Sequence, residues 1–247
     1  MKPSLYLDRI GFVGTPGRDF ETLRMLHLNH LMRVPFENLD IERGVEIVLD
    51  TRLLFEKIVI RRRGGFCYEL NGLFCELLRT IGFNVEMLSG RVVRPDGSEG
   101  MEFDHMLLLV DGRWIADVGF GDSFCEPIPL EENVFEQATG TFELRRLVEG
   151  WELGKLSDGE FHPQYRFGEQ PYELHDYIEM CVYQQTSPES HFTRNTICSR
   201  LVENGRITIS GDRLIETLDG DRIETAIDDP VQRAELLRAR FGIELDR

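Results

Sequence analysis

Residues 63–74 read RGGFCYELNGLF and place a single thiol, that of Cys67, at the start of a predicted helix. The glycines Gly64 and Gly65 interrupt the preceding helical pattern, and apolar side chains such as Leu70 and Leu73 then recur at helical spacing. The positive end of the helix dipole favours a thiolate at Cys67 over a thiol. The two glycines allow close backbone approach, so their amides could meet an acyl oxyanion. Cys67 is therefore the candidate nucleophile.

The other four cysteines fit a structural role. The chain has five cysteines, an odd number, and no Cys-x-x-Cys pair, which argues against a disulfide framework and a zinc ribbon. Reduced thiols in the cytoplasm fit better. Because a buried cysteine usually behaves as a small apolar side chain, we expect Cys75, Cys125, Cys181 and Cys198 to lie in the core.

A thiol nucleophile needs an imidazole to take its proton and a third group to orient the ring. His105 begins the run HMLLLV, whose continuous apolar character is typical of a central strand, where a polar ring needs a polar partner. Asp117 on the next predicted strand can supply that partner. Spacing alone leaves a second interpretation open, in which His105 is a core histidine with satisfied hydrogen bonds.

The loop between these two strands decides whether His105 and Asp117 share a face of the sheet. A two-residue loop, Asp111-Gly112, would place position 105 opposite 118 and point Asp117 to the other side. A three-residue loop, Val110-Asp111-Gly112, with a left-handed Gly112 places 109 opposite 113 and 105 opposite 117. The triad hypothesis therefore predicts the longer loop or an equivalent bulge.

Two other patterns carry weaker signals. His27 and His30 are spaced for one helical face, but no Cys, Asp or Glu pattern completes a zinc site, so a structural role is favoured and no metal is predicted. The glycines of Gly119-Phe120-Gly121 would allow close backbone approach to a phosphate, and a plain strand-ending turn explains them equally well.

The charge balance excludes one class of partner. A formal net charge of -16 disfavours nucleic acid, which requires a basic surface. A few local cations can still hold an anionic ligand, and the run Arg61-Arg62-Arg63 is one candidate. No segment approaches about 18 consecutive apolar residues, so no membrane span is predicted. Pro3 and the charged pair after it also interrupt any signal-peptide pattern.

Helical and strand patterns divide the chain into regions. Apolar spacing predicts helices over residues 19–33 and 50–61, and another directly after the glycines. Between residues 85 and 167, short strands alternate with Gly and Asp-Gly turns, which favours a sheet that closes on itself or a barrel. Hairpin-like segments follow at 206–210 and 213–227. A last helix is predicted from an Asp229 cap to a stop at Gly242.

The nucleophile segment resembles that of the arylamine N-acetyltransferase family, as do His105 in DHMLLLV and Asp117 in DVGFG. Residues 34–39, VPFENL, and residues 187–192 resemble further signatures of that family. The resemblance implies an α+β fold with a cysteine-protease-like core. Its parts would be an N-terminal helical bundle at residues 1–83, a central β-barrel at 84–190, and a C-terminal α/β lid at 191–247.

The resemblance also implies the chemistry. The Cys67 thiolate would attack acetyl-coenzyme A, and an arylamine, hydrazine or arylhydroxylamine would then collect the acetyl group in a ping-pong cycle. His105 would transfer the protons, and Asp117 would orient the His105 ring. Phe36 and Phe120 would line the acceptor pocket, and Arg9, Glu37 and Arg63 would form a supporting charge cluster. The resemblance leaves the oligomeric state open.

Three alternatives remain open on the sequence. Cys, His and Asp in this order also serve a hydrolase or a transglutaminase-like enzyme, in which only the acceptor of the acyl group differs. A second alternative is an amide synthase of the same family that closes a macrocycle. The third is a binding protein that retained the fold without the activity.

Overall fold

Side-chain caps start the helices of the N-terminal part. Asp19 accepts a hydrogen bond from the Thr22 amide at 2.8 Å, and Asp50 accepts from the amides of Arg52 and Leu53 at 3.0 Å. The computed structural model describes residues 1–245. Its N-terminal elements are α1 (Pro3–Ile10), α2 (Phe20–Arg33), β1 (Phe36–Glu37), α3 (Leu39–Glu42), α4 (Thr51–Phe55), a π-helical turn (Glu56–Ile60) and α5 (Cys67–Ile81).

The middle of the chain forms one antiparallel sheet of eight strands in the order β5-β4-β3-β2-β9-β8-β7-β6. Its strands are β2 (Val85–Val92), β3 (His105–Val110), β4 (Trp114–Ala116), β5 (Ile128–Pro129), β6 (Asn133–Gln137), β7 (Gly140–Arg146), β8 (Trp151–Ser157) and β9 (Glu160–Tyr172). The Gln137 side chain joins the two edges, because it accepts from the amides of Cys125 and Glu126 at 2.9 Å and donates to the Glu126 carbonyl. The sheet is therefore a nearly closed barrel.

In the β3–β4 hairpin, the side chains lie on the predicted side of the sheet, but the two strands pair in a different register. The loop has three residues, Asp111, Gly112 and Arg113, so that Val110 pairs with Trp114 and Leu109 with Ile115. The expected pairing of 109 with 113 is wrong by two residues, because Arg113 joins the loop and both Asp111 and Gly112 take left-handed conformations. A shift of two residues preserves the side of the sheet on which a side chain lies.

The C-terminal part combines a five-stranded sheet with short helices. Its elements are a 3₁₀ turn (Leu174–Tyr177), α6 (Ile178–Thr186), α7 (His191–Arg194), β10 (Ile197–Val202), β11 (Gly205–Ser210), β12 (Arg213–Leu218), β13 (Asp221–Ala226), α8 (Pro230–Leu236) and a π-helical turn (Leu237–Phe241). Asp229 caps α8 through the amides of Val231 and Gln232, as predicted. The N-terminal strand β1 adds to this sheet beside β10.

The core explains why β3 is apolar on both faces. Met106, Leu108 and Val110 join α5 in the cluster shared with the helical part, whereas Leu107 and Leu109 point into the barrel. The observed architecture is the predicted α+β fold with a helical bundle, a barrel and a C-terminal α/β part. Within residues 1–245, no helix has the length and apolar character that crossing a bilayer requires.

Candidate active site

The Cys67 thiol lies at the first residue of α5, where the helical part meets the barrel. Glu69, one turn into the helix, reaches back and accepts from the Phe66 amide at 3.1 Å. Lys57 donates to the other oxygen of Glu69 at 2.7 Å. These bonds fix the first turn of the helix, and Cys67 is buried there with 3% of its surface exposed.

Burial raises the pKa of the Cys67 thiol well above its usual range. The backbone amide of Met106 donates to the sulfur and opposes this effect, while the charges of Asp104 and Asp117 add to it. Burial therefore opposes the thiolate that the helix N-terminus favours.

His105 and Asp117 form a buried pair beside this thiol. The Nε2 atom of His105 donates to Oδ2 of Asp117 at 2.7 Å, and the two side chains are 3% and 0% exposed. The ring of His105 also packs against Phe120 and Tyr165, with centroid distances of 5.2 and 5.0 Å. Because Nε2 is committed to the carboxylate, Nδ1 is the ring nitrogen that can accept a proton.

Four donors surround the Asp117 carboxylate. Besides His105, the Asn71 side chain and the Gly119 amide each donate to Oδ1 at 2.9 Å, and the Tyr165 hydroxyl donates to Oδ2 at 3.0 Å. Burial alone would raise the pKa of Asp117, but the charge of His105 and the bonds from His105, Asn71 and Gly119 lower it. The carboxylate is therefore ionised and oriented.

His27 on α2 holds the backbone of the segment that follows β4. Its Nδ1 lies 2.9 Å from the Cys125 carbonyl, and its Nε2 accepts from the Asp117 amide at 3.0 Å. The amide can only donate, so Nδ1 carries the proton and the ring is neutral. Burial lowers the pKa of His27 and favours the same neutral form. The structural role predicted for His27 thus includes a direct contact with Asp117.

The amides of Gly64 and Gly65 do not face the thiol. Gly64 donates to Glu37 at 3.2 Å, and Gly65 donates to the Pro35 carbonyl at 3.4 Å. A Cβ at Gly64 would lie 1.9 Å from that carbonyl oxygen, and a Cβ at Gly65 would lie 2.8 Å from side-chain atoms of Glu69, so packing requires both glycines. The expected role of these amides at an acyl oxyanion is therefore wrong.

One cavity of about 660 Å³ contains the candidate reactive groups. Cys67 and His105 line it together with all four residues expected at the substrate pocket, namely Phe36, Gly119, Phe120 and Gly121. The Gly119 amide is already committed to Asp117, and a Cβ there would lie 2.8 Å from Cα of Cys67. Close approach to the helix that carries Cys67, rather than to a phosphate, accounts for this glycine.

The expected charge cluster is divided in two. Arg63 forms a buried bidentate ion pair with Glu37, at 2.9 and 3.1 Å, and a further bond to Asp40 at 2.9 Å. Arg9 instead donates to backbone carbonyls, including those of Ile58 at 3.0 Å and Arg63 at 3.3 Å. Arg9 thus meets Arg63 only through the main-chain carbonyl of Arg63 among the described hydrogen bonds.

The arginine run predicted as an anion site lies away from the reactive cavity. Arg63 is held by carboxylates, Arg61 faces Glu56, and none of the three lines the cavity. The arginines that do line it are Arg94, Arg194, Arg206 and Arg222. Within residues 1–245, no group of three His, Cys, Asp or Glu side chains is arranged to hold a metal ion.

Some residues at the site carry no signal that sequence reasoning used. Tyr165 reaches Asp117 across the barrel, 48 positions further along the chain, and nothing local marks it. The sequence pattern assigned no role to Asn71, although its position one turn after Cys67 places it on the same helical face. It donates to the Met106 carbonyl at 2.6 Å and accepts from the Val118 amide at 2.9 Å.

Comparison with known proteins identifies the class of protein to which this chain belongs. Residues 19–247 match a family model described as N-acetyltransferase, so the chain is an acyltransferase. It is 36% identical to the arylamine N-acetyltransferase of Escherichia coli over 249 residues, which cover 98% of this chain and 88% of that protein. The chain belongs to the arylamine N-acetyltransferase family.

Solved structures agree with this assignment. The arylamine N-acetyltransferase of Salmonella typhimurium superposes with a TM-score of 0.93 at 32% identity, covering 98% of this chain and 90% of that one. The Mycobacterium marinum arylamine N-acetyltransferase in complex with CoA gives a TM-score of 0.91 at 31% identity, covering 98% and 93%. The α+β fold class predicted from the sequence is thereby confirmed.

Proposed function

We propose that this chain transfers an acetyl group from acetyl-coenzyme A to the nitrogen of arylamines, hydrazines or arylhydroxylamines through an acetyl-Cys67 intermediate. One observation carries the proposal: Cys67 and His105 line the same cavity, and the Asp117 carboxylate accepts a hydrogen bond from Nε2 of His105. The name of the E. coli relative supports the acceptor class. The coenzyme A complex of the M. marinum neighbour supports the donor.

In the first half-reaction, Nδ1 of His105 takes the Cys67 proton as the sulfur attacks the acetyl carbonyl. Because burial disfavours a free thiolate, proton transfer accompanies the attack. Asp117 stabilises the resulting imidazolium. The proton then passes to the sulfur of departing coenzyme A. In the second half-reaction, the amine attacks acetyl-Cys67, His105 takes the amine proton, and the Cys67 sulfur is released.

The amides of Cys67 and Tyr68 are the proposed donors to the acyl oxyanion. They are the first two of α5, so their acceptors would lie outside the helix. The amides of Gly64, Gly65 and Phe66 already have acceptors. A helix N-terminus also favours the negative charge that develops on the acyl oxygen.

The remaining assignments concern the surroundings of the reaction. Phe36 and Phe120 are proposed to contact the flat acceptor ring, since aromatic faces suit such substrates. Glu37 and Arg63 are proposed to support the turn before α5, because Glu37 accepts from the Gly64 amide in that turn. All five cysteines are free thiols, which supports a reducing compartment such as the cytoplasm.

The test is the mass of the protein after incubation with acetyl-coenzyme A alone. We expect one acetyl group to be added and an arylamine such as aniline to remove it. Cys67→Ala should abolish the addition, whereas Cys75→Ala, two turns further along the same helix, should still be acetylated. Equal acetylation of Cys67→Ala would place the nucleophile elsewhere. Rapid loss of the acetyl group to water, without amine, would favour a hydrolase.

A further inference from the structure

Asp104 is a second carboxylate in the reactive cavity, and no step of the proposed reaction uses it. It immediately precedes His105 and lines the cavity together with Cys67. Its charge acts on both the Cys67 thiol and the His105 ring. The carboxylate therefore lies in the same cavity as the thiol that is proposed to carry the acetyl group.

Neighbouring residues fix the position of the Asp104 carboxylate. The Gln184 amide donates to Oδ1 of Asp104 at 2.7 Å, and the Ser190 hydroxyl donates to the Gln184 carbonyl at 2.6 Å, which turns the amide nitrogen toward Asp104. On the other side, a Cβ at Gly100 would lie 1.9 Å from Oδ2 of Asp104. The absence of a side chain at Gly100 leaves room for the carboxylate.

The backbone before Asp104 is also held in an uncommon conformation. Phe103 has a φ of 63°, in the left-handed region that a bulky residue rarely adopts. The Phe103 amide donates to Ser89 Oγ at 2.8 Å, and the Tyr68 hydroxyl donates to the carbonyl of Phe103 at 2.7 Å. Tyr68 follows Cys67 directly, so the same first turn of α5 positions the thiol and the Asp104 backbone.

Within residues 1–245, no ion pair involves Asp104, whereas the neighbouring carboxylates Glu99 and Glu102 pair with Arg166 and Arg91. The charges of His105 and Arg94 act on Asp104, and the Arg94 side chain bonds to Ser98 and to the Glu99 carbonyl. Asp104 thus places a carboxylate without an ion-pair partner in a cavity that Arg94, Arg194, Arg206 and Arg222 also line.

We propose that Asp104 determines which acceptors the acetyl-enzyme uses, and this inference rests on the proposed function. An acceptor that carries a carboxylate on its ring meets like charge beside Cys67 and is disfavoured. A neutral or cationic acceptor escapes that repulsion, and the cationic one is attracted. Partial burial strengthens the effect, because charges interact more strongly where water is largely excluded.

The experiment compares two acceptors of nearly equal shape, 4-aminobenzoate and 4-aminobenzamide. The ratio of their kcat/KM values, anionic over neutral, should rise about tenfold in Asp104→Asn. Asp104→Glu should keep the low ratio. The matched control is Glu102→Gln, which removes a carboxylate two positions away that is paired with Arg91 and does not line the cavity, and its ratio should stay within about twofold.

The mass test above separates this inference from the proposed function. If wild-type protein forms acetyl-Cys67 and the ratio is unchanged in Asp104→Asn, the inference is overturned while the proposed function stands. An equal rise in Glu102→Gln would also overturn it, because the effect would then be a general one of net charge. Absence of acetyl-Cys67 in the wild type would overturn both. If Asp104→Asn does not fold, Asp104→Ser provides the same neutralisation with a smaller side chain.

Discussion

Gly119 shows how a single missing side chain sets the geometry of the site. The first turn of α5 and the segment after β4 approach so closely that a Cβ on Gly119 would lie 2.8 Å from Cα of Cys67 and 2.7 Å from Nδ2 of Asn71. The first of these atoms is backbone, which cannot rotate away. The contact therefore sets the distance between the helix that carries the thiol and the strand end that carries Asp117.

Gly119→Ala should accordingly lower both stability and the rate of Cys67 acetylation. We expect a loss of about 1–3 kcal/mol in the free energy of unfolding, since an extra methyl group forces the backbone apart. Urea unfolding and the acetylation rate measure the two effects. Gly168→Ala is the matched control, because its nearest neighbour would be the Gln170 amide at 4.0 Å. Equal effects in the two variants would contradict this account.

At the scale of elements, α2 buries two histidines against α5. His27 has partners for both ring nitrogens, whereas neither nitrogen of the fully buried His30 has a hydrogen-bond partner among the described residues. The His30 ring packs 5.4 Å from Phe74 of α5 and 5.9 Å from Tyr6 of α1. Burial lowers the pKa of His30 well below its usual value, and the Arg9 charge adds to this.

This packing makes stability depend on pH. Above about pH 6.5, His30 is neutral in both the folded and the unfolded chain, so it adds no pH dependence. Below that pH the unfolded chain binds a proton at this position and the folded chain does not, so stability is lost as the pH falls. Acid therefore weakens the packing of α2 against α5.

His30→Leu should remove this loss. As the pH falls from 7.5 to 5, the free energy of unfolding of His30→Leu should rise by about 2 kcal/mol relative to that of wild type. Urea titrations at several pH values provide the measurement. His175→Leu, at a side chain that is 74% exposed, should follow the wild-type curve. The explanation fails if His30→Leu and wild type lose stability in parallel.

At the scale of the whole molecule, Asn38 joins the N-terminal part to the C-terminal sheet. Its side-chain amide donates to the carbonyls of Phe192 at 3.0 Å and Asn195 at 2.9 Å, and its oxygen accepts from the Ile197 amide at 2.7 Å. These partners are 154 to 159 residues away in the chain. The same region pairs β1 with β10 and brings Phe192 to the cavity.

Asn38→Asp should uncouple these parts without changing the size of the side chain. The substitution replaces a buried donor by an acceptor that faces two carbonyl oxygens, which we expect to cost about 2–4 kcal/mol. Chemical unfolding measures the cost. Asn133→Asp is a suitable control, because the oxygen of this exposed side chain accepts from the Val134 amide and remains an acceptor. A negligible loss in Asn38→Asp would show that the bonds do not hold the parts together.

Local patterns were sufficient for several features of the chain. The cap of Asp19, the helix that begins at Cys67 and the stop at Gly242 each depend on residues within a few positions. The continuous apolar run of β3 correctly indicated a strand covered on both faces. The boundaries of the three parts at 83/84 and 190/191 stay predictions, and the last two residues of the third part lie outside the described residues.

What the sequence by itself determined is the set of candidate groups, because a cysteine after two glycines, a histidine at a strand start and an aspartate on the next strand are local patterns. Only the tertiary structure decided what surrounds them. Gly64 and Gly65 have their amides bonded elsewhere, burial opposes the thiolate at Cys67, and Tyr165 completes the donors to Asp117. The physical reason is that hydration and hydrogen-bond partners depend on segments far apart in sequence, which come together only when the barrel closes against α5.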